Sequence, residues 1–378
     1  MGGGWVFICC LRNLNKAITQ GAGRVAYTIN MVIVDQIYGA VTVEEPVIVD
    51  LLATRGVQRL RGVLQHGISG LLGLTSETTR YQHSVGVMLL LRRLGAPLEE
   101  QIAGLLHDIS HTAFSHVIDY VFDQHDGQSY HDEMKVVHVA ETDIPAVLTR
   151  YGYDWQALLD EGAYPLLEQP APALCADRLD YFLRDTFDMG LTNRAAVERV
   201  LAALTVQDGK MVLRDVEVAR WVAETYMAAD DASWANFREV GLYEVTARAI
   251  KVALARGLVT QADLWSTDAV FWSRLVGLAD AELQAALRLV SLETQFERDD
   301  DAPTFWVSTK IRTLDPPVML ADGSVQPLSA LDAGYAAARA AYRARKAGPW
   351  PMRVIAPGTA VSARDGVVRQ VEASAAAD

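Results

Sequence analysis

The chain has 378 residues, 51% of them hydrophobic and 21% charged, enough for one large globular domain or two ordinary ones. A net charge of -13 excludes non-specific binding to nucleic acid or anionic membrane as its main role, while leaving room for a local basic pocket that holds a phosphate. Three cysteines, Cys9, Cys10 and Cys175, make neither a disulfide framework nor a zinc quartet and point to a reducing, cytoplasmic setting. No apolar run approaches the roughly 20 residues that span a bilayer, and the opening GGGWVFICC lacks the basic start of a secretory signal.

Residues 1–31 hold no period of 2 or 3.6 and read as a poorly structured extension. One reading makes Met31 the natural start; the other makes the segment a frayed terminus. Val32–Val34 and Ala40–Val43 read as short strands around an Asp-Gln-Ile-Tyr-Gly turn. Glu44–Leu52 begins a helix with Pro46 in its first turn, and Gln58–His66 has helical spacing. Residues 67–78 are rich in Gly, Ser and Thr and read as a loop. A helix runs from Thr79 to Leu94, and another starts at Pro97, with Glu99 and Glu100 at its positive end.

Residues 132–151 and 154–160 read as helical, and Leu174–Asp188 as a strongly amphipathic helix. Leu201–Val206 and Lys210–Leu213 flank Gln-Asp-Gly, a hairpin signal. Helices resume over 215–255 and 260–290. Phe305–Arg312 alternates like a strand, Asp322-Gly323 marks a turn, Leu328–Lys346 is helical, and Met352–Ile355 forms a last strand. The tail over 366–378 reads as disordered. The expected organisation is mainly α, with a core domain over 32–290 and a smaller α+β region over 291–365.

All the histidines lie between His66 and His138, so one site built by the N-terminal half is expected. His107-Asp108 ends a buried helical run, where two adjacent ionisable groups are costly without a partner, and a divalent metal is the usual one. Adjacent side chains sit about 100° apart on a helix, so further ligands must come from neighbouring helices. His83 opens an apolar helix and is the second source. Asp177, on an otherwise apolar helix, supplies the remaining acid; Asp180 reads instead as part of a surface salt-bridge face with Arg178 and Arg184. Of the other His-Asp pairs, His125-Asp126 reads as a solvated loop, and His131-Asp132 opens a helix.

The set His83, His107-Asp108 and Asp177 resembles the signature of HD-domain metal-dependent phosphohydrolases. QRLRGVLQ (58–65), RYQHSVGV (80–87), HDISHTAFSH (107–116), YHDE (130–133) and DRLDYFLRD (177–185) together look like the deoxynucleoside triphosphate triphosphohydrolases, the branch of the mammalian enzyme with a SAM and an HD domain. The likeness covers roughly residues 32–290 and implies an HD-domain helical core with small β-hairpins. It implies His83, His107, Asp108 and Asp177 as ligands of a divalent metal, Mn, Fe, Zn, Ni or Mg.

By the same resemblance, His116 is the general acid on the leaving oxygen, oriented by Asp119. His111 and His131 contact the reacting phosphate. Arg80 and Arg178 bind phosphates, while Gln65, Tyr181 and Asp185 surround the sugar. The implied reaction is metal-dependent hydrolysis of a (deoxy)nucleoside triphosphate to nucleoside and tripolyphosphate, in a homo-oligomer without membrane or nucleic-acid partners. The alternatives are another nucleotide, as in a 5′-nucleotidase or guanosine tetraphosphate hydrolase, or a catalytically silent nucleotide-binding regulator. Departures from the family pattern are Ser110 for a glycine, Ala113 for a proline, Asp132 for a glutamate, and Ala53 where the mammalian branch carries an acid of its activator site. His66 and His138 are expected to be structural.

Overall fold

The computed structural model describes residues 11–16, 27–124 and 127–358 of the chain. Strands β1 (Leu11–Lys16), β2 (Tyr27–Asp35) and β3 (Gly39–Val43) form an antiparallel sheet in that order. β1 and the start of β2 fall where the sequence carries no period, because their order comes from pairing with each other. The β2–β3 turn is closed by Asp35, whose carboxylate accepts the backbone N–H groups of Ile37 at 2.8 Å and Tyr38 at 3.0 Å.

Helix α1 (Pro46–Leu52) starts on its proline, and α2 (Arg55–Arg59) is capped by Thr54. The helix expected over Gln58–His66 stops early. After a 3-10 turn at Leu60–Gly62 the chain extends, because residues 63–65 pair with 78–80: Gln65 N–H donates to the Thr78 carbonyl at 2.8 Å, and Arg80 N–H to that of Val63 at 2.8 Å. A short helix α3 (Gly67–Leu71) interrupts the expected loop.

Helices α4 (Arg80–Arg93) and α5 (Leu98–Leu106) form the centre of the molecule. Thr79 and Gln82 make a reciprocal capping box that fixes where α4 begins. α4 is buried from Val85 to Leu91 on every face, so it is an interior helix rather than an amphipathic one. Gly104 lets α5 approach it: a Cβ there would lie 2.5 Å from Leu91 Cδ1.

α6 (Val117–Val121), α7 (Tyr130–Ala140) and α8 (Ile144–Arg150) follow. The helix expected over 132–151 is thus divided, with Pro145 in the first turn of α8. α9 (Ala176–Asp188) packs on α4, and α10 (Arg194–Ala203) leads into the β4 (Leu204–Gln207), β5 (Lys210–Leu213) hairpin. α11 (Val216–Ala229) passes through a π-helical turn at Asp230–Trp234 before α12 (Phe237–Ala255), α13 (Asp268–Gly277) and α14 (Ala281–Leu287).

The rest comprises β6 (Gln295–Arg298), β7 (Phe305–Val307), β8 (Pro317–Met319), β9 (Val325–Pro327), α15 (Leu328–Leu331), α16 (Ala333–Lys346) and β10 (Trp350–Ile355). The strand expected over Phe305–Arg312 ends at Val307, and the chain then runs irregularly to β8. β8 pairs with β5 in the sheet β4-β5-β8-β9, and α15 and α16 pack on α11, so this region adheres to the helical core. Among the described residues no helix is long and apolar enough to cross a membrane.

Asp268, 1% exposed at the start of α13, ties two site-bearing loops together. Its carboxylate accepts Leu64 N–H at 2.9 Å and Phe114 N–H at 2.8 Å. Asp268→Ala strands both donors in the interior, and a loss of about 2–4 kcal/mol is expected, measured as a lower denaturation midpoint.

Candidate active site

Three helices deliver the metal-type side chains to one point. His83 sits in the second turn of α4, His107-Asp108 at the end of α5, and Asp177 in the first turn of α9. His83 Nε2 lies 3.0 Å from Asp177 Oδ1 and 3.1 Å from His107 Nε2, and His107 Nε2 lies 3.5 Å from Asp177 Oδ1. Asp108 is slightly farther, its oxygens 3.6 Å from His107 Nε2 and 3.7 Å from His83 Nε2. Donor atoms that surround one ion at about 2.0–2.2 Å are spaced about 3.0–3.5 Å apart, so His83, His107 and Asp177 fit a shared divalent cation, while Asp108 borders that group.

The ring orientations carry the same message. His107 Nδ1 donates to the Gly104 carbonyl at 2.8 Å, and His83 Nδ1 to Asp180 Oδ2 at 2.8 Å. Both outer nitrogens are thereby committed as donors, and the two Nε2 atoms face each other as lone pairs unless a cation or protons separate them. Burial works against charge on His107, but Asp108 and Asp177 prevail and hold its pKa at about 10. His83 is raised likewise, against burial, by Asp177 and Asp180. Asp177 is held well below the usual carboxylate range, despite burial, by its hydrogen bonds to His107 and His83. The centre is built for positive charge.

Asp180 corrects the sequence reading. It is fully buried rather than part of a surface face, and besides His83 it accepts from Arg184 Nε at 2.7 Å and the Tyr38 hydroxyl at 2.8 Å. Arg184 continues to Asp35 at 2.7 Å, so the β2–β3 turn braces the ligand set from behind. The Asp177, Asp180, Arg184 spacing on one helix face was the available signal.

A second cluster adjoins the first. His111 and His131 stack at 4.0 Å, and His116 stands edge-on to both at 5.0 and 5.6 Å. His116 Nδ1 lies 3.0 Å from Asp119 Oδ2, whose other oxygen accepts Tyr130 N–H at 3.1 Å. The loop before His116 holds Phe114 and Ser115 at φ of 63° and 49°, strain of the kind found at functional sites. The Ser115 hydroxyl binds the Leu64 carbonyl at 2.6 Å, and Arg80 Nε binds that hydroxyl at 3.1 Å. Ala113 donates its N–H to the Leu264 carbonyl at 2.8 Å, a bond that the family's proline cannot make.

Burial first, then Arg80 and His131, push His111 well below the ordinary imidazole range. Burial, opposed by Asp132, takes His131 down to about 4. The three rings, with nitrogens within 4.8 Å of one another, are chemically able to contact an anion through N–H or to hold a cation through lone pairs. Asp108 joins the two clusters: Oδ1 lies 3.1 Å from His111 Nε2, while Oδ2 accepts from Arg80 at 2.7 Å.

Both clusters open into one cavity of about 330 Å³, which Gln65, Arg80, Arg178, Tyr181 and Asp185 also line. Asp119 stands behind His116. Gln65 Oε1 has no hydrogen-bond partner among the described residues. Asp185 accepts Trp234 Nε1–H at 2.8 Å and lies 3.1 Å from His66 Nε2. Arg178 donates to Glu168 at 2.6 Å and to the Ala173 carbonyl at 3.1 Å. Tyr181 packs edge-on to Trp234 at 5.1 Å and meets the Tyr226 hydroxyl.

Sequence reasoning missed His66, Trp234, Glu239, Tyr243, Lys310 and Arg312, which also line the cavity. His66, expected to be structural, lines the cavity beside Asp185. His138 stacks on Trp265 at 4.1 Å, away from the cavity, as a structural residue would. His125-Asp126, Cys9 and Cys10 lie outside the described residues.

Residues 80–185 match the HD domain family. The chain is similar to the metal-dependent phosphohydrolase cns2 of Cordyceps militaris, at 41% identity over 296 residues, 76% of this chain and 85% of that protein. It is also similar to the uncharacterized protein YdhJ of Bacillus subtilis, at 38% identity over 84% of this chain and 98% of that one. A more distant likeness, 25% over 55% of this chain and 41% of the other, is to the deoxynucleoside triphosphate triphosphohydrolase SAMHD1 of Danio rerio. A hypothetical protein of Aquifex aeolicus shares the fold, with a TM-score of 0.61 at 18% identity over 87% of this chain and 96% of that one.

Proposed function

Because the chain belongs to the metal-dependent phosphohydrolases of the HD family, we propose that its cavity hydrolyses a phosphoester of a nucleotide. The observation that carries this reading is the convergence, in one cavity, of His107, Asp108 and Asp177, with His83 against them, the three histidines, and the polar and aromatic wall of Gln65, Tyr181 and Asp185. A divalent ion bound by the first set supplies Lewis acidity to a phosphoryl oxygen and a more acidic water. The protein's own groups do the rest. Arg80 and the neutral rings of His111 and His131 offer N–H donors to the charge that develops on the phosphoryl oxygens. His116, oriented through Nδ1 by Asp119, delivers a proton from Nε2 to the leaving oxygen.

The first product class is tripolyphosphate with a deoxynucleoside. Its support is that Gln65, Tyr181 and Asp185, which the resemblance assigns to the sugar, line the cavity together with Arg80 and Arg178, which it assigns to phosphates. A second class, orthophosphate from a nucleotide with a single phosphate, is favoured by the charge of the wall. Four cationic side chains line the cavity against seven acidic ones, and a divalent ion offsets only two of those charges. A triphosphate would therefore enter a cavity that stays net negative, at greater Coulombic cost than a monoester. Purified protein loaded in turn with Mn, Mg or Fe and given a nucleotide panel separates the classes by product: tripolyphosphate, pyrophosphate or orthophosphate. Absence of turnover at full metal occupancy would sink the enzymatic reading and favour the silent regulator.

The pH profile tests the role of His116. Burial lowers its pKa below the ordinary 6.5, while Asp119 works in the opposite direction. A required proton on His116 makes kcat/KM fall, by about tenfold per pH unit, as pH rises through that lowered value. Asp119→Asn removes the group that supports the charged ring, so the falling limb moves to lower pH. Superimposable limbs in wild type and variant would exclude His116 as the acid.

A further inference from the structure

The segment between β7 and β8 enters the cavity although it belongs to the C-terminal region that the sequence left without a role. Lys310, Ile311, Arg312 and Thr313 line it. The segment is held firmly just beyond. Leu314 is fully buried and its carbonyl accepts the Tyr335 hydroxyl; Asp315 N–H donates to the Pro172 carbonyl at 2.9 Å, and Arg339 Nε donates to Thr313 Oγ1 at 3.2 Å. α16 thus fixes the strap to the cavity wall.

The cations of the wall are not equivalent. Arg80 is matched by Asp108 at 2.7 Å and Arg178 by Glu168 at 2.6 Å. Arg312 donates to Gln128 Oε1 at 2.8 Å and faces Asp230 at 3.8 Å. Lys310 is exposed at the mouth, and among the described residues its ammonium has no hydrogen-bond or ion-pair partner. It lines the same cavity as Asp177, Arg178 and Glu168, which with Arg312 are its charged neighbours. An ammonium with three donors on a flexible stem suits the non-bridging oxygens of a phosphate.

We propose that Lys310 binds the phosphate group of the substrate at the metal centre, so that the C-terminal strap completes a site otherwise made by the helical core. Arg312 is a positioning residue: its contacts with Gln128 and Asp230 lock the strap against the far wall. The proposal rests on the phosphohydrolase reading, but it concerns phosphate binding rather than turnover.

The test uses the full chain loaded with Mn and titrated calorimetrically with inorganic phosphate. Lys310→Ala should weaken phosphate binding on the order of 10- to 100-fold, the worth of one charged hydrogen-bonded contact. Lys310→Arg, which keeps the charge, should restore most of it, and Mn content should be equal in all three proteins. Phosphate affinity in Lys310→Ala within twofold of wild type overturns the proposal, as does wild-type protein that binds no phosphate at millimolar concentration. Binding that depends on Lys310 in a protein that hydrolyses no nucleotide leaves the proposal standing and removes the nucleotide reading instead.

Discussion

Asp177→Ala is expected to yield a folded protein that retains no stoichiometric metal and has lost roughly 10³-fold or more of its turnover, since the Lewis-acid contribution of a bound ion is several kcal/mol. Asp177 is the informative ligand to remove. It faces the cavity with its side chain 26% exposed, and it contacts the imidazoles of His83 and His107. Asp108→Ala would also remove a ligand, but it leaves the Arg80 guanidinium buried and unmatched, which costs about 3–5 kcal/mol and confuses loss of metal with loss of fold. His116→Ala separates binding from chemistry: metal content should stay at the wild-type level while activity falls about 10²–10⁴-fold. Metal analysis beside steady-state rates decides the matter. Full metal occupancy in Asp177→Ala would remove Asp177 from the ligand set.

The second large effect is expected at a residue with no chemistry of its own. Gly86 lies on α4 one turn beyond His83, where the helix passes the buried Asp180–Arg184 pair. A Cβ at Gly86 would sit 1.9 Å from Arg184 Nη2 and 2.2 Å from Asp180 Oδ1. Neither group can retreat, since buried Arg184 is held by buried Asp35 at 2.7 Å and buried Asp180 by half-buried Tyr38 at 2.8 Å. Gly86→Ala must therefore break the pair or push α9 away from α4. Disruption of a buried, hydrogen-bonded ion pair costs about 3–5 kcal/mol, and overpacking adds about 1–3. An exposed helical glycine changed to alanine would instead gain about 1 kcal/mol. Thermal and denaturant unfolding measure the difference. Any protein that does fold should bind metal more weakly by about 10- to 100-fold, because the Asp180 contact that orients His83 is displaced. A stabilised variant would show that the network tolerates the methyl group and is not a rigid brace.

How far the sequence reached can be traced through individual residues. His107 and Asp108 are neighbours at the end of an apolar helix, so their need for a partner is a local property, legible without coordinates. Asp177 and Asp180 were equally visible as letters, yet one reading of their helix faced solvent and the other faced α4. Only the packing of α9 on α4 decides between them. The helix expected over 58–66 failed for a related reason: the extended run at 63–65 is stabilised by residues 78–80 and by Asp268, and a local period cannot anticipate such partners.

Residue types and short spacings by themselves pointed to His83, His107, Asp108 and Asp177 as candidate metal ligands, to the histidine cluster and to the mainly helical class, because ligand chemistry and helical periodicity act over a few residues. Tertiary structure alone decided which carboxylate orients His83, that Trp234 and Glu239 form the far wall, and that Lys310 and Arg312 reach the cavity from a region with no histidine at all. Those placements depend on contacts between segments 49 to 184 residues apart, and which buried face meets which is not written in the order of neighbouring residues.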